Sequence, residues 1–205
     1  MIMTKELSLL MLLLVLAIST CAQDEVTYVT TGDYAKGLYN KKSFNRLEAA
    51  RQLALIGEKS LPELEKALMS GQENPMWASI EALTRIGSNA VPVLIRGVQS
   101  DNVRIKEISC TALQRIGTEA SASLPILYQQ LKSDNASIIN AVLRALPSVE
   151  SNNTQLVEAI QRLATNSNAS IAGGASNILQ YIGMKNRKPN QVPEGTDKRL
   201  ADPQH

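Results

Sequence analysis

Apolar residues recur at spacings of three and four along residues 43–184, and short polar turns interrupt them. In one representative stretch, Ile80, Leu83 and Ile86 share one face of a helix, and Gly87 is placed to end it. A second apolar stripe follows each such turn, and a proline stands in its first turn, where the missing N–H of proline costs nothing. The pattern therefore predicts amphipathic helices arranged in consecutive pairs.

A six-residue motif, Ala-Leu-x-Arg-Ile-Gly, occurs at 82–87 and again at 112–117. Fainter copies end at Gly57 and Gly183, and a degenerate copy ends at Glu150. Self-similarity at a period of about 20–50 residues indicates a copied supersecondary unit whose neighbours cover its apolar face. We therefore predict an all-α fold, an α-solenoid of stacked antiparallel helix pairs. The third copy has a longer glycine-to-proline spacing than the first two, so we expect a loop to absorb an insertion there.

Composition divides the chain into four parts. We expect a signal peptide at 1–20, a tether and N-terminal cap at 21–42, and a repeat domain at 43–184. The repeat domain should hold about four helix pairs and a single terminal helix. The remaining residues, 185–205, carry prolines and charges with little to bury, and we expect them to be disordered.

The repeat unit resembles the HEAT repeat. Each unit has two helices in 30–33 residues, a proline opens the second helix in the first three units, and Asp-Asn-Val-Arg at 101–104 opens one unit. It looks most like the short repeats found in phycobilisome-lyase-type proteins. The resemblance implies a HEAT/armadillo-like superhelix whose second helices line the concave side, but this repeat serves many functions. Tetratricopeptide repeats would require large aromatic residues at fixed sites, and this chain has one Trp and one Phe.

The first residues of the chain predict export. Leu7 to Ile18 is almost continuously apolar, too short for a comfortable membrane span but typical of an export signal. The sequence that ends at Cys21 resembles the lipobox of bacterial lipoproteins, although Thr20 departs from the Gly, Ala or Ser usual before the cysteine. The resemblance implies lipidation of Cys21 and, because Ala22 follows, a periplasmic domain anchored to the outer membrane. Ordinary cleavage after Ala22, which would release a soluble exported protein, is the alternative.

Several kinds of activity find no support in the sequence. The 21 basic and 19 acidic residues give a net charge of +2 spread along the chain, which disfavours nucleic acid as a partner. HEAT-type deoxyhypusine hydroxylases hold iron through His-Glu motifs, whereas the one histidine here is His205 in the tail. We see no catalytic triad, phosphate loop or metal-ligand spacing, and we expect no catalytic residue, metal or small-molecule cofactor.

Two further chemical possibilities are weak. A bilin-lyase-like activity is raised by the resemblance, but no His or Cys cluster would hold the chromophore, and an export signal does not suit a cytoplasmic substrate. Cys110 lies in an apolar helical run with no His or second Cys near it, so we expect a buried, unreactive thiol.

An exposed strip on the second helices is the remaining candidate site. It carries charges of both signs, as expected for protein or peptide recognition, although a plain solvated ridge is the alternative. The candidate partner-binding residues are Glu63, Lys66, Arg96, Gln99, Gln129, Lys132, Glu158 and Arg162. Trp77 is added as an interface anchor, with packing against the adjacent unit as its alternative. The sequence thus predicts a non-enzymatic scaffold in the bacterial cell envelope, or alternatively a structural subunit that stacks through its terminal helices.

Overall fold

The computed structural model describes residues 30–150 and 153–185. Contacts between Cα atoms group the described residues from Thr31 onward into one compact unit. The predicted signal peptide, Cys21, most of the predicted tether and the predicted tail after Lys185 lie outside the described residues.

The described residues form α-helices and short 3₁₀ segments, and no strand occurs among them. The helices are α1 (Thr31–Gly37), α2 (Ser43–Ile56), α3 (Leu61–Met69), α4 (Glu73–Ile86), α5 (Val91–Gln99), α6 (Val103–Ile116), α7 (Leu124–Gln130), α8 (Ala136–Val149), α9 (Asn153–Ala164) and α10 (Ala169–Lys185). The 3₁₀ segments Gly57–Ser60, Gly87–Ala90 and Gly117–Ser123 join the helices of the first three pairs.

The helices are stacked in two rows. Helices α2, α4, α6, α8 and α10 pack side by side as the first row, and α3, α5, α7 and α9 pack against them as the second row. Helix α1 lies against α2 and α3, ahead of the second row. This arrangement of repeated antiparallel pairs confirms the predicted all-α solenoid.

Glycine ends the first helix of three successive pairs, as predicted. Gly57, Gly87 and Gly117 have φ values of 72°, 76° and 76°, a region that side chains with a Cβ avoid. Each glycine opens a 3₁₀ segment, and each second helix then has proline in its first turn. In the third pair the inserted residues lengthen the 3₁₀ segment to seven residues instead of forming the expected loop.

The core is aliphatic and repeats with the units. Leu53, Leu83, Leu113 and Leu146 stand at the same position of successive first-row helices, and each is 0% exposed. The second row has the same feature, with fully buried residues at Leu64, Leu94, Leu127 and Ile160. Burying each of these side chains contributes about 1.5–3 kcal/mol, so the two columns supply much of the stability of the stack.

Asparagine side chains begin two first-row helices. Asn102 Oδ1 accepts the backbone N–H of Arg104 at 2.9 Å, and Asn135 Oδ1 accepts that of Ser137 at 2.9 Å. Each bond satisfies one of the amide groups that the first turn of a helix leaves without an intrahelical partner. These caps set where α6 and α8 begin, and therefore where their outer faces point.

Candidate functional site

The predicted binding residues fall on both rows of the solenoid. Eight of them lie on the second row or at its edge, and Trp77 alone lies on α4 in the first row. The eight are Glu63 and Lys66 on α3, Arg96 and Gln99 on α5, Gln129 on α7, Lys132 just after α7, and Glu158 and Arg162 on α9.

One residue from each second-row helix forms a column across the row. Lys66, Arg96, Gln129 and Arg162 occupy the same position of successive units, and all four are exposed. Three of the four are cationic, which the balanced net charge of the whole chain conceals. The column therefore places a positive charge on three of the four second-row helices, at the same position of each.

One member of this column, Arg96, is already paired with a residue outside it. Its Nε and Nη2 donate to the two carboxylate oxygens of Glu65 at 2.5 and 2.6 Å. These hydrogen bonds and the positive charge lower the pKa of Glu65, and the same contact raises the pKa of Arg96. Glu65 was not among the predicted site residues, because a pair 31 positions apart becomes visible only when α3 and α5 are placed side by side.

A groove of about 480 Å³ lies between α7 and α9. Its lining residues are Tyr128, Leu131, Lys132, Gln155, Glu158, Ala159, Arg162 and Leu163. The groove brings together three predicted residues, Lys132, Glu158 and Arg162. Within the part of the chain that the structure describes, none of these three forms an ion pair. Their charges are therefore available to a bound partner.

Tyr128 links this groove to the end of α8. Its hydroxyl donates a hydrogen bond to the carboxylate of Glu150, the residue that replaces the repeat glycine. Burial, together with the hydrogen bond to the carboxylate, raises the pKa of Tyr128, so the hydroxyl stays protonated and fixed as a donor. The sequence marked Glu150 as a departure from the repeat, but nothing in the spacing identified Tyr128 as its partner.

A second groove of about 360 Å³ lies between α1 and α3. It contains Glu63 and Lys66 together with Ala35, Lys36 and Tyr39 of the N-terminal segment. Tyr39 is 42% exposed, so an aromatic ring borders this groove as Tyr128 borders the other. The predicted residues at the two ends of the second row thus lie in separate grooves.

Trp77 lies on the outer face of the first row. The Arg104 guanidinium carbon of the next unit is 5.4 Å from the centroid of the Trp77 ring, a cation–π distance. The ring remains 42% exposed and borders a groove of about 370 Å³ between α2 and α4. Trp77 therefore packs against the adjacent unit on one side and faces solvent on the other.

The described residues contain little that indicates bond-making chemistry. No group of three or more His, Cys, Asp or Glu residues in 30–150 and 153–185 is placed to hold a metal ion. Cys110 is fully buried, and burial raises the pKa of its thiol to about 12. In the same ranges no helix has both the length and the apolar character needed to cross a bilayer.

Comparison with known proteins supports the helical repeat. Residues 77–147, from α4 to α8, match the HEAT repeats family. A search of curated proteins finds no match. The structure is similar to the complex of CpcE and CpcF of phycocyanin lyase from Nostoc sp. PCC7120, with 14% identity and a TM-score of 0.56 over 73% of this chain and 97% of that chain. At that identity the likeness shows a shared fold.

Two engineered proteins are also similar. One is described only as an engineered protein, with 21% identity and a TM-score of 0.45 over 75% of this chain and 79% of that chain. The other is a computationally designed armadillo repeat protein for modular peptide recognition, with 15% identity and a TM-score of 0.45 over 72% and 80% of the two chains.

Proposed function

We propose that this protein is a non-enzymatic scaffold or adaptor that holds a protein or peptide segment against the second row of its solenoid. The observation that carries the proposal is the groove between α7 and α9, where Lys132, Glu158 and Arg162 are unpaired around partly apolar walls. Apolar contact with unpaired charges at the edge is the usual composition of a protein-recognition surface.

The spacing of the second row fits an extended segment. Packed helices lie about 8–10 Å apart, and an extended chain rises about 3.3 Å per residue. A bound segment that crosses the row would therefore present about every third side chain to the next helix. Acidic side chains would meet Lys132 and Arg162, and a basic one would meet Glu158.

Peptide selection tests this proposal. A displayed library of random peptides, selected on the purified protein, should yield ligands whose affinity falls at least about tenfold in a Lys132→Ala, Arg162→Ala double variant. The matched control is Arg144→Ala, which removes an exposed arginine from α8 in the first row. Ligands whose affinity is unchanged in the double variant, or falls equally in the control variant, would contradict binding in this groove.

We also propose that the protein is exported and that a lipid on Cys21 anchors it in the bacterial envelope, facing the periplasm. The support is the lipobox-like sequence that ends at Cys21 and the apolar run before it. Intact-mass measurement should show a diacylglyceryl adduct that disappears in Cys21→Ser, and globomycin should block processing. A mature mass that corresponds to simple cleavage after Ala22 would refute the lipid anchor.

The alternative function, end-to-end stacking of copies, is disfavoured by the two end helices of the first row, α2 and α10. In α2, Glu48 and Gln52 stand where the following units have alanine or isoleucine in the core, and Gln52 Nε2 donates to Glu48 Oε1 at 2.8 Å. In α10, Ser176 is exposed where its counterparts Ile80, Cys110 and Leu143 are buried. Terminal repeats with polar outer faces are what a soluble, non-stacking solenoid needs.

Sedimentation velocity separates the two functions. The scaffold should remain monomeric over a concentration series, because a polar cap offers no dry surface to a second copy. Mass that grows steadily with concentration, and that Glu48→Arg abolishes, would favour the stacking subunit instead. Arg85→Glu, on the outer face of α4, is the control for the change of charge.

A further inference from the structure

The outer face of the first row is most apolar near its N-terminal end, although Tyr181 of α10 is also exposed. Near the N-terminus it presents Phe44, Leu47 and Leu55 on α2 and Trp77 on α4, which are 75%, 48%, 81% and 42% exposed. We refer to these four side chains as the apolar patch. An exposed cluster of large apolar groups is uncommon on a soluble protein and indicates an interaction surface.

The later units show what this face carries elsewhere. Polar counterparts replace the α2 residues at the same repeat positions: Arg104 and Ser137 for Phe44, Glu107 and Asn140 for Leu47, and Arg85 and Arg115 for Leu55. Several of them bond from one unit to the next. Arg115 Nη2 donates to Glu81 Oε2 at 2.9 Å, and Asn140 Nδ2 donates to Ser170 at 3.1 Å.

The solenoid fold does not require the apolar side chains of the patch. Later units stack with polar groups at these positions, so stacking does not require an apolar residue there. The four side chains of the patch also remain exposed, so they contribute little to the core. The exposed apolar residues of α2 and α4 on this face are therefore not needed to form the solenoid.

The patch has a groove at its centre. Leu47 and Trp77 border the space of about 370 Å³ between α2 and α4, and Arg46 lies at its edge. Arg46 Nη1 donates to the carbonyl oxygens of Asn40 and Lys41 at 2.7 and 2.9 Å, which holds the side chain in place. No carboxylate within the described ranges pairs with Arg46. The acid that lines the same groove, Glu81, is bonded to Arg85 and Arg115.

Basic side chains outnumber acidic ones on α2 and just before it, beside the apolar patch. Residues 41–56 contain four basic side chains, Lys41, Lys42, Arg46 and Arg51, and one acid, Glu48. Arg51 lies between Leu47 and Leu55 on the same helix face and reaches Glu48 at 3.8 Å. A symmetric second copy would bring these like charges together, whereas an acidic partner would complement them.

We propose that the apolar patch is a docking site for an acidic amphipathic helix of a partner protein. Its apolar residues, spaced at i, i+3, i+4 and i+7, lie against Leu47, Leu55 and Trp77, and its carboxylates face the basic residues of 41–56. This surface is on the opposite row from the groove between α7 and α9, so the two sites can be occupied independently.

A synthetic peptide provides the probe. It carries leucine at i, i+3, i+4 and i+7 and glutamate at the solvent positions, and a companion peptide has lysine in place of every glutamate. Trp77 is the only tryptophan in the chain, so its emission reports directly on the patch. The glutamate peptide should shift Trp77 emission to shorter wavelength in a saturable way, and the lysine peptide should bind at least about tenfold more weakly.

Matched substitutions locate the binding. Leu55→Gln should weaken binding of the glutamate peptide at least about tenfold, because the apolar contact that the peptide would make with the exposed Leu55 is lost. The control is Tyr181→Gln, which changes the residue at the same repeat position of α10, also exposed. Lys132→Glu with Arg162→Glu, on the second row, should leave the affinity unchanged. Circular dichroism and thermal unfolding verify that each variant is folded.

Three results would overturn the proposal. The first is equal binding of the two peptides, which would mean that the basic residues play no part. The second is an affinity that Leu55→Gln leaves at the level of Tyr181→Gln. The third is a dimer, seen by sedimentation without any peptide, in which Trp77 is already shielded, because that would assign the patch to a second copy.

Discussion

Gly97 of α5 lies directly against Ser109 of α6, and there is no room between them for a larger side chain. A Cβ built on Gly97 would meet Ser109 Oγ and would lie 3.0 Å from Ser109 Cβ. Ser109 is fully buried, and its hydroxyl has no hydrogen-bond partner. The absent side chain at position 97 is therefore what lets α5 and the first helix of the next pair, α6, approach closely.

Gly97→Ala should destabilise the protein. The added methyl group overpacks the contact with Ser109, which costs about 1–3 kcal/mol and outweighs the better helix propensity of alanine. The matched control is Gly173→Ala in α10, where nothing lies within 4 Å of an added Cβ. That change should stabilise by about 0.5–1 kcal/mol. Urea unfolding of both variants measures the difference, and two equal shifts would contradict the packing argument.

Gly117→Ala should also destabilise, for a different reason. Gly117 has a φ of 76°, and an added Cβ would lie 3.7 Å from the carbonyl oxygen of Ser148 on α8, an ordinary van der Waals distance, so the cost is backbone strain of about 1–2 kcal/mol. Thr118→Ala, at the neighbouring exposed position, is the control and should be near neutral. A thermal-unfolding midpoint that stays unchanged in Gly117→Ala would show that the turn relaxes.

The repeated motif made the fold predictable from the sequence. Gly87 and Gly117, each followed by a helix with proline in its first turn, fixed the helix pairs and their order. Contacts between units were not predictable in the same way. Glu65 meets Arg96 31 residues later, and Trp77 meets Arg104, because stacked helices bring nearby, though not equivalent, positions of successive units together. Such partners follow from the stacking geometry, which periodicity alone does not supply.

The candidate binding surface was also only partly predictable from the sequence. Second-row residues such as Lys132 and Arg162 could be proposed from the helix pattern, because exposed positions of an amphipathic helix are readable from its period. Whether their charges were already paired depended on neighbours 30 or so residues away. The apolar patch was missed because Phe44 and Leu55 look like core residues until their counterparts in later units are aligned with them.

The ion pair between Glu81 and Arg115 should make stability depend on pH. Hydrogen bonds from Arg115 and Arg85 lower the pKa of Glu81 below its ordinary value of 4.5. The contribution is therefore fully present above pH 4.5 and is lost as the pH falls through the lowered value. At neutral pH, Glu81→Gln should cost about 0.2–1 kcal/mol, because both arginines are about half exposed.

Urea unfolding over a pH series checks this dependence. The difference between the wild-type protein and Glu81→Gln should shrink on acidification below pH 4.5, and high salt should reduce it at neutral pH. Glu158→Gln, which removes an exposed carboxylate without an ion pair, is the control. A difference that stays constant from neutral to acidic pH would show that Glu81 acts through packing instead of charge.

Cys110 should resist thiol reagents as long as the protein is folded. The side chain is fully buried in α6, and burial raises the pKa of its thiol to about 12 from an ordinary 9.0, so few thiolates form near neutral pH. In a Cys21→Ser background Cys110 is the single thiol of the chain. Its reaction with an aromatic disulfide reagent at pH 8 should require opening of the helix stack, and urea should accelerate it.

The control is an exposed thiol in the same background. Thr118→Cys with Cys110→Ala places the thiol at an exposed position, and it should react at once. Equal native-state rates for the two thiols would mean that the core around α6 opens readily, which the fully buried Leu113 one turn away argues against.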